Sequence, residues 1–181
     1  MSSYQTQKTA SDLGGRTGTQ LFESCACDTH IMSDNWIALI PEDPRFVPDA
    51  ASQQRARARF AEIAPDADKV SIKVSEKVEF FDCGANFERV YCPACGSEIP
   101  FAWWGDRMDE DYCEGFKLAN YATPCCAASR TLHELVYDWP QGFGRFVLDV
   151  MNANIGKLED SHKREFEEIL GTTLRVVYRH L

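Results

Sequence analysis

The sequence predicts an α+β domain, and three observations carry that reading. Four short runs, at 36–40, 70–80, 146–150 and 174–178, are apolar or alternate apolar with polar, as strands do. Two stretches between them repeat their apolar residues at helical spacing. The order is strand, helix, strand, given twice, with a long cysteine-bearing segment between the halves. A chain of 181 residues, 44% hydrophobic and 26% charged, suits one globular domain of ordinary core size.

Each element follows from local chemistry. Trp36, Ile37, Ala38, Leu39 and Ile40 form an apolar run stopped by Pro41, which suits a buried strand. Beyond Pro44 and Pro48, Asp49 stands as the cap of a helix with Ala56, Phe60 and Ile63 on one face and Pro65 past its end. Arg55, Arg57 and Arg59 fall on its other sides and are expected in solvent. Val70, Ile72, Val74, Val78 and Phe80 alternate with polar residues, giving a second strand with one wet face and a bend into a hairpin expected near Ser75. Gly142-Phe143-Gly144 reads as a turn before a third strand carrying Phe146, Leu148 and Val150. A helix is predicted from about Lys157 to Leu170, with Leu158, His162, Phe166, Ile169 and Leu170 as its stripe. Glu159 with Lys163 and Asp160 with Arg164 would be i,i+4 pairs, and Gly171 the stop. Leu174, Val176 and Tyr178 mark the last strand.

This order resembles the split βαβ arrangement of ferredoxin-like folds, a resemblance of topology rather than of any motif. It implies a ferredoxin-like βαβ…βαβ core interrupted between its halves. The expected organisation is a flexible N-terminal tail at 1–32, then a single α+β domain at 33–181 with a subdomain inserted at 83–140. No apolar run reaches the ~18–20 residues that cross a bilayer, and the first thirty residues lack the apolar centre of a signal peptide. A cytoplasmic protein without a membrane partner is expected.

Eight cysteines, at 25, 27, 83, 92, 95, 113, 125 and 126, are then better read as thiolate ligands or free thiols than as disulfides. Cys25, Cys27 and His30 could form a ligand set, but their spacing is uncommon for zinc and the tail would pay the full ordering entropy. The specific signal is Tyr91-Cys92-Pro93-Ala94-Cys95-Gly96. Two residues between thiols let both sulfurs reach one ion at ~2.3 Å, Pro stiffens the turn, and Gly supports φ > 0. Ser97, Glu98, Ile99 and Pro100 follow, without the helical pattern of a redox C-x-x-C. The motif resembles the first knuckle of a zinc ribbon or a rubredoxin-like site, which implies a second pair of ligands. Thr123-Pro124-Cys125-Cys126-Ala127 is the candidate, with 29 residues between Cys95 and Cys125 and its cysteines adjacent rather than spaced. The expected set is Cys92, Cys95, Cys125 and Cys126, with Cys113, Cys83 or His133 as alternatives to one of the adjacent pair.

The insert also concentrates aromatic residues: Phe101, Trp103, Trp104, Tyr112, Phe116, Tyr121, Tyr137, Trp139 and Phe143. They are expected mainly as the core of a small metal-pinned subdomain, with a binding surface as the competing reading. Nine acids against four bases give the insert five of the chain's nine net negative charges. The run Asp106, Asp109, Glu110, Asp111 and Glu114 lacks the order of a calcium loop, so a solvated or partner-facing patch is expected, tolerant of charge reversal at Asp109, Glu110 and Asp111. That sign of charge makes nucleic acid an unlikely partner. No nucleophile elbow, phosphate loop, zincin helix or dinucleotide fingerprint occurs. The sequence therefore predicts a protein-binding or regulatory module with structural zinc, acting through the acidic aromatic insert. The alternatives are a zinc hydrolase with an open position and Glu98 or Glu134 as base, and, less favoured, a nucleic-acid-binding zinc ribbon.

Overall fold

In a computed structural model of the protein, residues 34–180 are described. The tail expected at 1–32, with Cys25, Cys27 and His30, lies outside the described residues. Element order is β1 (Asn35–Pro41), α1 (Ala50–Ile63), β2 (Lys69–Phe81), β3 (Val90–Tyr91), α2 (Phe101–Asp111), β4 (Tyr121–Ala122), β5 (Ser129–Arg130), β6 (Val136–Tyr137), β7 (Gly142–Met151), α3 (Asp160–Leu170) and β8 (Leu174–His180). β1, β2, β7 and β8 form an antiparallel sheet in the order β2-β7-β1-β8.

Alternation along the strands sorts their side chains onto two faces. Ile37 and Leu39 of β1, Phe146, Leu148 and Val150 of β7 and Leu174 of β8 pack with Ala56 and Phe60 of α1 and Phe166 and Leu170 of α3. The rings of Phe60 and Phe166 meet with centroids 5.1 Å apart. Asp49 caps α1 by accepting from the Ser52 backbone N–H at 2.9 Å, and Gly171 ends α3 at φ 72°. The other face buries Ala38, Ile40, Val147 and Val177 with Cys83. β7 and most of β1 are therefore buried on both sides, which is why β1 reads as a continuous apolar run.

Several local expectations are corrected. β2 does not fold back near Ser75. It runs on through Phe81 and absorbs the irregularity as a register shift between Val74 and Glu79, with Ser75 Oγ donating to Glu79. Gly142-Phe143-Gly144 is not a turn but the start of β7, paired with Phe81, Phe80 and Glu79. A Cβ at 142 would lie 2.9 Å from Arg175 Nη1 and 3.2 Å from Ile40 Cδ1, so a side chain there would displace the end of Arg175. The last helix begins at Asp160 rather than Lys157, and Lys163 pairs forward with Glu167 at 3.3 Å. Arg59 is not simply solvated: it bridges the two helices through Glu165 at 2.7 Å.

The connection between β2 and β7 has a core of its own. β2 and β7 project past the helix-covered part of the sheet, and their ends contribute Val78 and Phe143 to a second cluster with Val90, Cys92, Ile99, Leu118, Leu132, Leu135 and Tyr137. Phe80, Phe87, Trp103, Trp104, Phe116 and Tyr121 pack against it, so most of the aromatic density is core. Phe101, Tyr112 and Trp139 remain exposed. α2 was not legible as a helix, because its apolar face is made of aromatics and Met108, with Gly105 and four carboxylates interleaved.

Candidate metal centre

Two short ladders carry two turns toward one point. β3 leads into Cys92, and Tyr91 bridges back to Glu98 across the turn, with Cys92 N–H donating to Ser97 O and Gly96 N–H to Cys92 O, both at 2.9 Å. β4 leads into Thr123 and pairs with β5, with Thr123 N–H donating to Ala128 O and Ala127 N–H to Thr123 O, again at 2.9 Å. Gly96 and Ala127 both take left-handed backbone, at φ 72° and 57°. For Ala127 that conformation costs about 1–2 kcal/mol.

The Sγ atoms of Cys92, Cys95, Cys125 and Cys126 all lie within 4.8 Å of one another. Cys92 and Cys126 approach to 3.7 Å and Cys95 and Cys125 to 3.3 Å. Cys92 is 1% exposed, whereas the other three sulfurs belong to exposed residues. Burial opposes ionisation of Cys92, but hydrogen bonds from the Ala94 and Cys95 backbone, Thr123 and Cys126 outweigh it and bring the thiol down to about 6. Hydrogen bonding to Ser97, side chain and backbone, and to Cys125 lowers Cys95 as well. Cys125 is pushed up to about 11 by desolvation and its bond to Cys95. A group of this kind exposes thiolate character to an ion while its crowding penalises four negative charges without one.

The alternative ligands are elsewhere. Cys83 is buried in the other sheet-face cluster beside Gln141, and burial raises its thiol. Cys113 is exposed and outside the cluster. His133 lies in the 3-10 turn Leu132–Glu134, where Nδ1 accepts from Phe143 N–H at 3.2 Å and Nε2 sits 2.9 Å from Glu42 O. Those partners require the neutral Nε2–H tautomer. Burial, then Arg175, holds its pKa below the ordinary 6.5. The unfolded chain therefore takes up a proton as pH falls through 6.5 while the folded one resists, so His133 makes stability fall with falling pH in that window. His133→Gln should flatten the slope of unfolding free energy between pH 7 and 5, measured by urea titration, even if it lowers stability throughout. An unchanged slope would remove His133 from the pH response.

Two residues that the sequence did not place at the centre shape it. Thr123 is 2% exposed, and its Oγ1 lies 3.7 Å from Cys92 Sγ and 3.4 Å from Cys126 Sγ. The sequence held a signal for it: Thr123-Pro124 precedes Cys126 at the spacing by which Cys92-Pro93 precedes Cys95. Asp111 corrects the expectation of a wholly solvated acidic run. It is 0% exposed and accepts from Leu118 N–H and Ala119 N–H at 2.8 Å and Tyr121 O–H at 3.1 Å, tying the end of α2 to the strand that enters the second turn. Its carboxylate neighbours Asp106, Asp109, Glu110 and Glu114 are exposed.

No protein-family model, curated protein or solved structure matches the chain. No helix among the described residues is long and apolar enough to cross a membrane. The cluster of Cys92, Cys95, Cys125 and Cys126 is compatible with a metal ion, and the chemistry rests on that group.

Proposed function

We propose that this is a small zinc-binding protein in which the ion is structural and the insert it pins is a docking surface for another protein. The observation that carries the reading is the convergence of four sulfurs within 4.8 Å. Tetrahedral zinc with ~2.3 Å bonds sets its thiolates about 3.8 Å apart, close to the spacings found here. The division into a ferredoxin-like core and a zinc-ribbon-like insert at 83–140 is part of the same proposal. The order β2-β7-β1-β8, with each long helix, α1 and α3, joining two strands that have one other strand between them, supports the first. The two turns on short ladders support the second.

A structural ion is favoured over a catalytic one because the set offers four thiolates and one of the two base candidates is engaged elsewhere. Glu134 is committed to a capping box, accepting from Thr131 N–H at 2.7 Å. The docking role draws support from Phe101 and Tyr112, 49% and 59% exposed, on and beside the helix that bears exposed Asp109 and Glu110. The same acidic charge disfavours nucleic acid. A reducing, cytoplasmic setting suits free thiols.

X-ray absorption at the zinc edge tests the reading. One zinc per chain with four sulfur neighbours is expected, and a sulfur-poor shell with a bound water would move the function to the hydrolase. For the docking role, Asp109→Lys with Glu110→Lys should leave the fold intact and slow association with a basic partner in native extract, with a strong salt dependence. Identical partner profiles would remove the acidic patch from the function.

A further inference from the structure

The two turns superpose in hydrogen-bond register, and the register exposes a mismatch in the ligands. In the first turn, the residue whose N–H donates to the residue five ahead, and whose C=O accepts from the residue four ahead, is Cys92. In the second turn it is Thr123. Position for position, Cys92 corresponds to Thr123, Cys95 to Cys126, and left-handed Gly96 to left-handed Ala127. Cys125 then corresponds to Ala94, a position that is no ligand in the first turn. A threonine hydroxyl occupies the buried place of the fourth in-register thiolate, in contact with the sulfurs of Cys92 and Cys126. The fourth sulfur comes instead from the exposed crest of the turn, between exposed Pro124 and Cys126, and reaches across to Cys95.

Resting on the reading that this cluster holds a metal ion, we propose that Cys92, Cys95 and Cys126 are its anchors and that Cys125 is a detachable fourth ligand, which a small thiol can replace. The exchange is redox-neutral. The metal–sulfur bond to Cys125 breaks, the incoming thiol gives its proton to the Cys125 sulfur, and its own sulfur takes the vacated position. Thr123 is the positioning residue: its hydroxyl lies against both the Cys92 and Cys126 sulfurs, can donate its one proton to either thiolate, and fills the in-register place without supplying a fourth negative charge. The three anchors are fixed by the backbone of two turns, whereas Cys125 can swing out with loss of one bond and no break in either ladder. The result is a site that keeps its ion while offering one coordination position to an exogenous thiolate.

Cobalt substitution tests this, because thiolate-to-cobalt charge transfer reports the number of bound sulfurs. Wild type should bind one Co(II) per chain. Cys125→Ala should still bind one, about tenfold more weakly, with the charge-transfer band down by about a quarter and restored by 2-mercaptoethanol. Cys126→Ala should weaken binding at least about tenfold further and should not be rescued. The double variant Thr123→Cys with Cys125→Ala should recover the full band and lose the response to 2-mercaptoethanol, since the fourth sulfur is then in register. Equal loss in Cys125→Ala and Cys126→Ala, or no rescue by thiol, would overturn the proposal while leaving the metal site standing. Failure of wild type to bind Co(II) or zinc would instead sink the site itself. If Cys125→Ala fails to fold, iodoacetamide treatment of the zinc-loaded wild type decides: among the four cluster cysteines, Cys125 should be alkylated first with the ion retained, and prior alkylation of Cys92, Cys95 or Cys126 would overturn the assignment.

Discussion

Removing the ion, by a strong chelator or by Cys92→Ser, should unfold the insert and leave the sheet with α1 and α3 standing. The four ligands close two turns that are otherwise held by ladders of two residue pairs or fewer, too short to be stable alone. Cys92 is also buried in the insert's core beside Val90, Ile99 and Leu132, so the first turn cannot swing out without opening that core. Structural zinc contributes on the order of 10 kcal/mol of apparent binding free energy near neutral pH, more than a core of this size supplies. The core between the sheet and the two helices shares none of its residues with the insert's cluster and should survive. Amide exchange resolved by segment is the measurement: after chelation, protection should vanish over 90–137 and persist in β1, β7 and β8. Unchanged protection over 90–137 in metal-free protein would refute a structural ion. Acidification should act in the same direction, because the ligands bind as thiolates and protons compete with the metal.

Asp111→Ala should be among the most damaging substitutions outside the cysteine cluster, at about 2–4 kcal/mol, judged by denaturant midpoint. It leaves the buried N–H of Leu118 without its acceptor, along with the partly buried Ala119 N–H and Tyr121 hydroxyl. Leu118 sits at φ 57°, a left-handed backbone that this carboxylate helps to hold. Because residues 118–121 lead directly into Thr123, the variant should also release its metal faster than wild type. Asp111→Asn keeps one acceptor oxygen and should fall between the two. Asp109→Lys, in solvent one turn face away, should barely move the midpoint. Equal effects at 109 and 111 would mean that the buried network is not the source of the cost.

Much of this was legible in the sequence where one local rule decides one element. The C-P-x-C-G spacing at Cys92 and Cys95 marked the first turn because ligand geometry leaves little choice of residue. Apolar runs and alternation marked β1, β7 and β8, and Asp49 and Gly171 marked two helix ends, since capping and face burial act within a few residues. α2 escaped because its aromatic face is defined by a core assembled from β2, β3, β6 and β7, and its run of acids reads as a solvated or partner-facing patch.

By itself, then, the sequence determined the alternating elements of the sheet, the first cysteine turn and the candidacy of Cys125 and Cys126. Those follow from periodicity and spacing along one stretch of chain. Only the tertiary structure decided that the two turns meet, that Cys83, Cys113 and His133 lie outside the cluster, that the Thr123 hydroxyl lies against the Cys92 and Cys126 sulfurs, and that one carboxylate of an acidic run is buried. Each depends on which distant backbone donors and sulfurs come within a few ångströms, and no local pattern encodes that proximity.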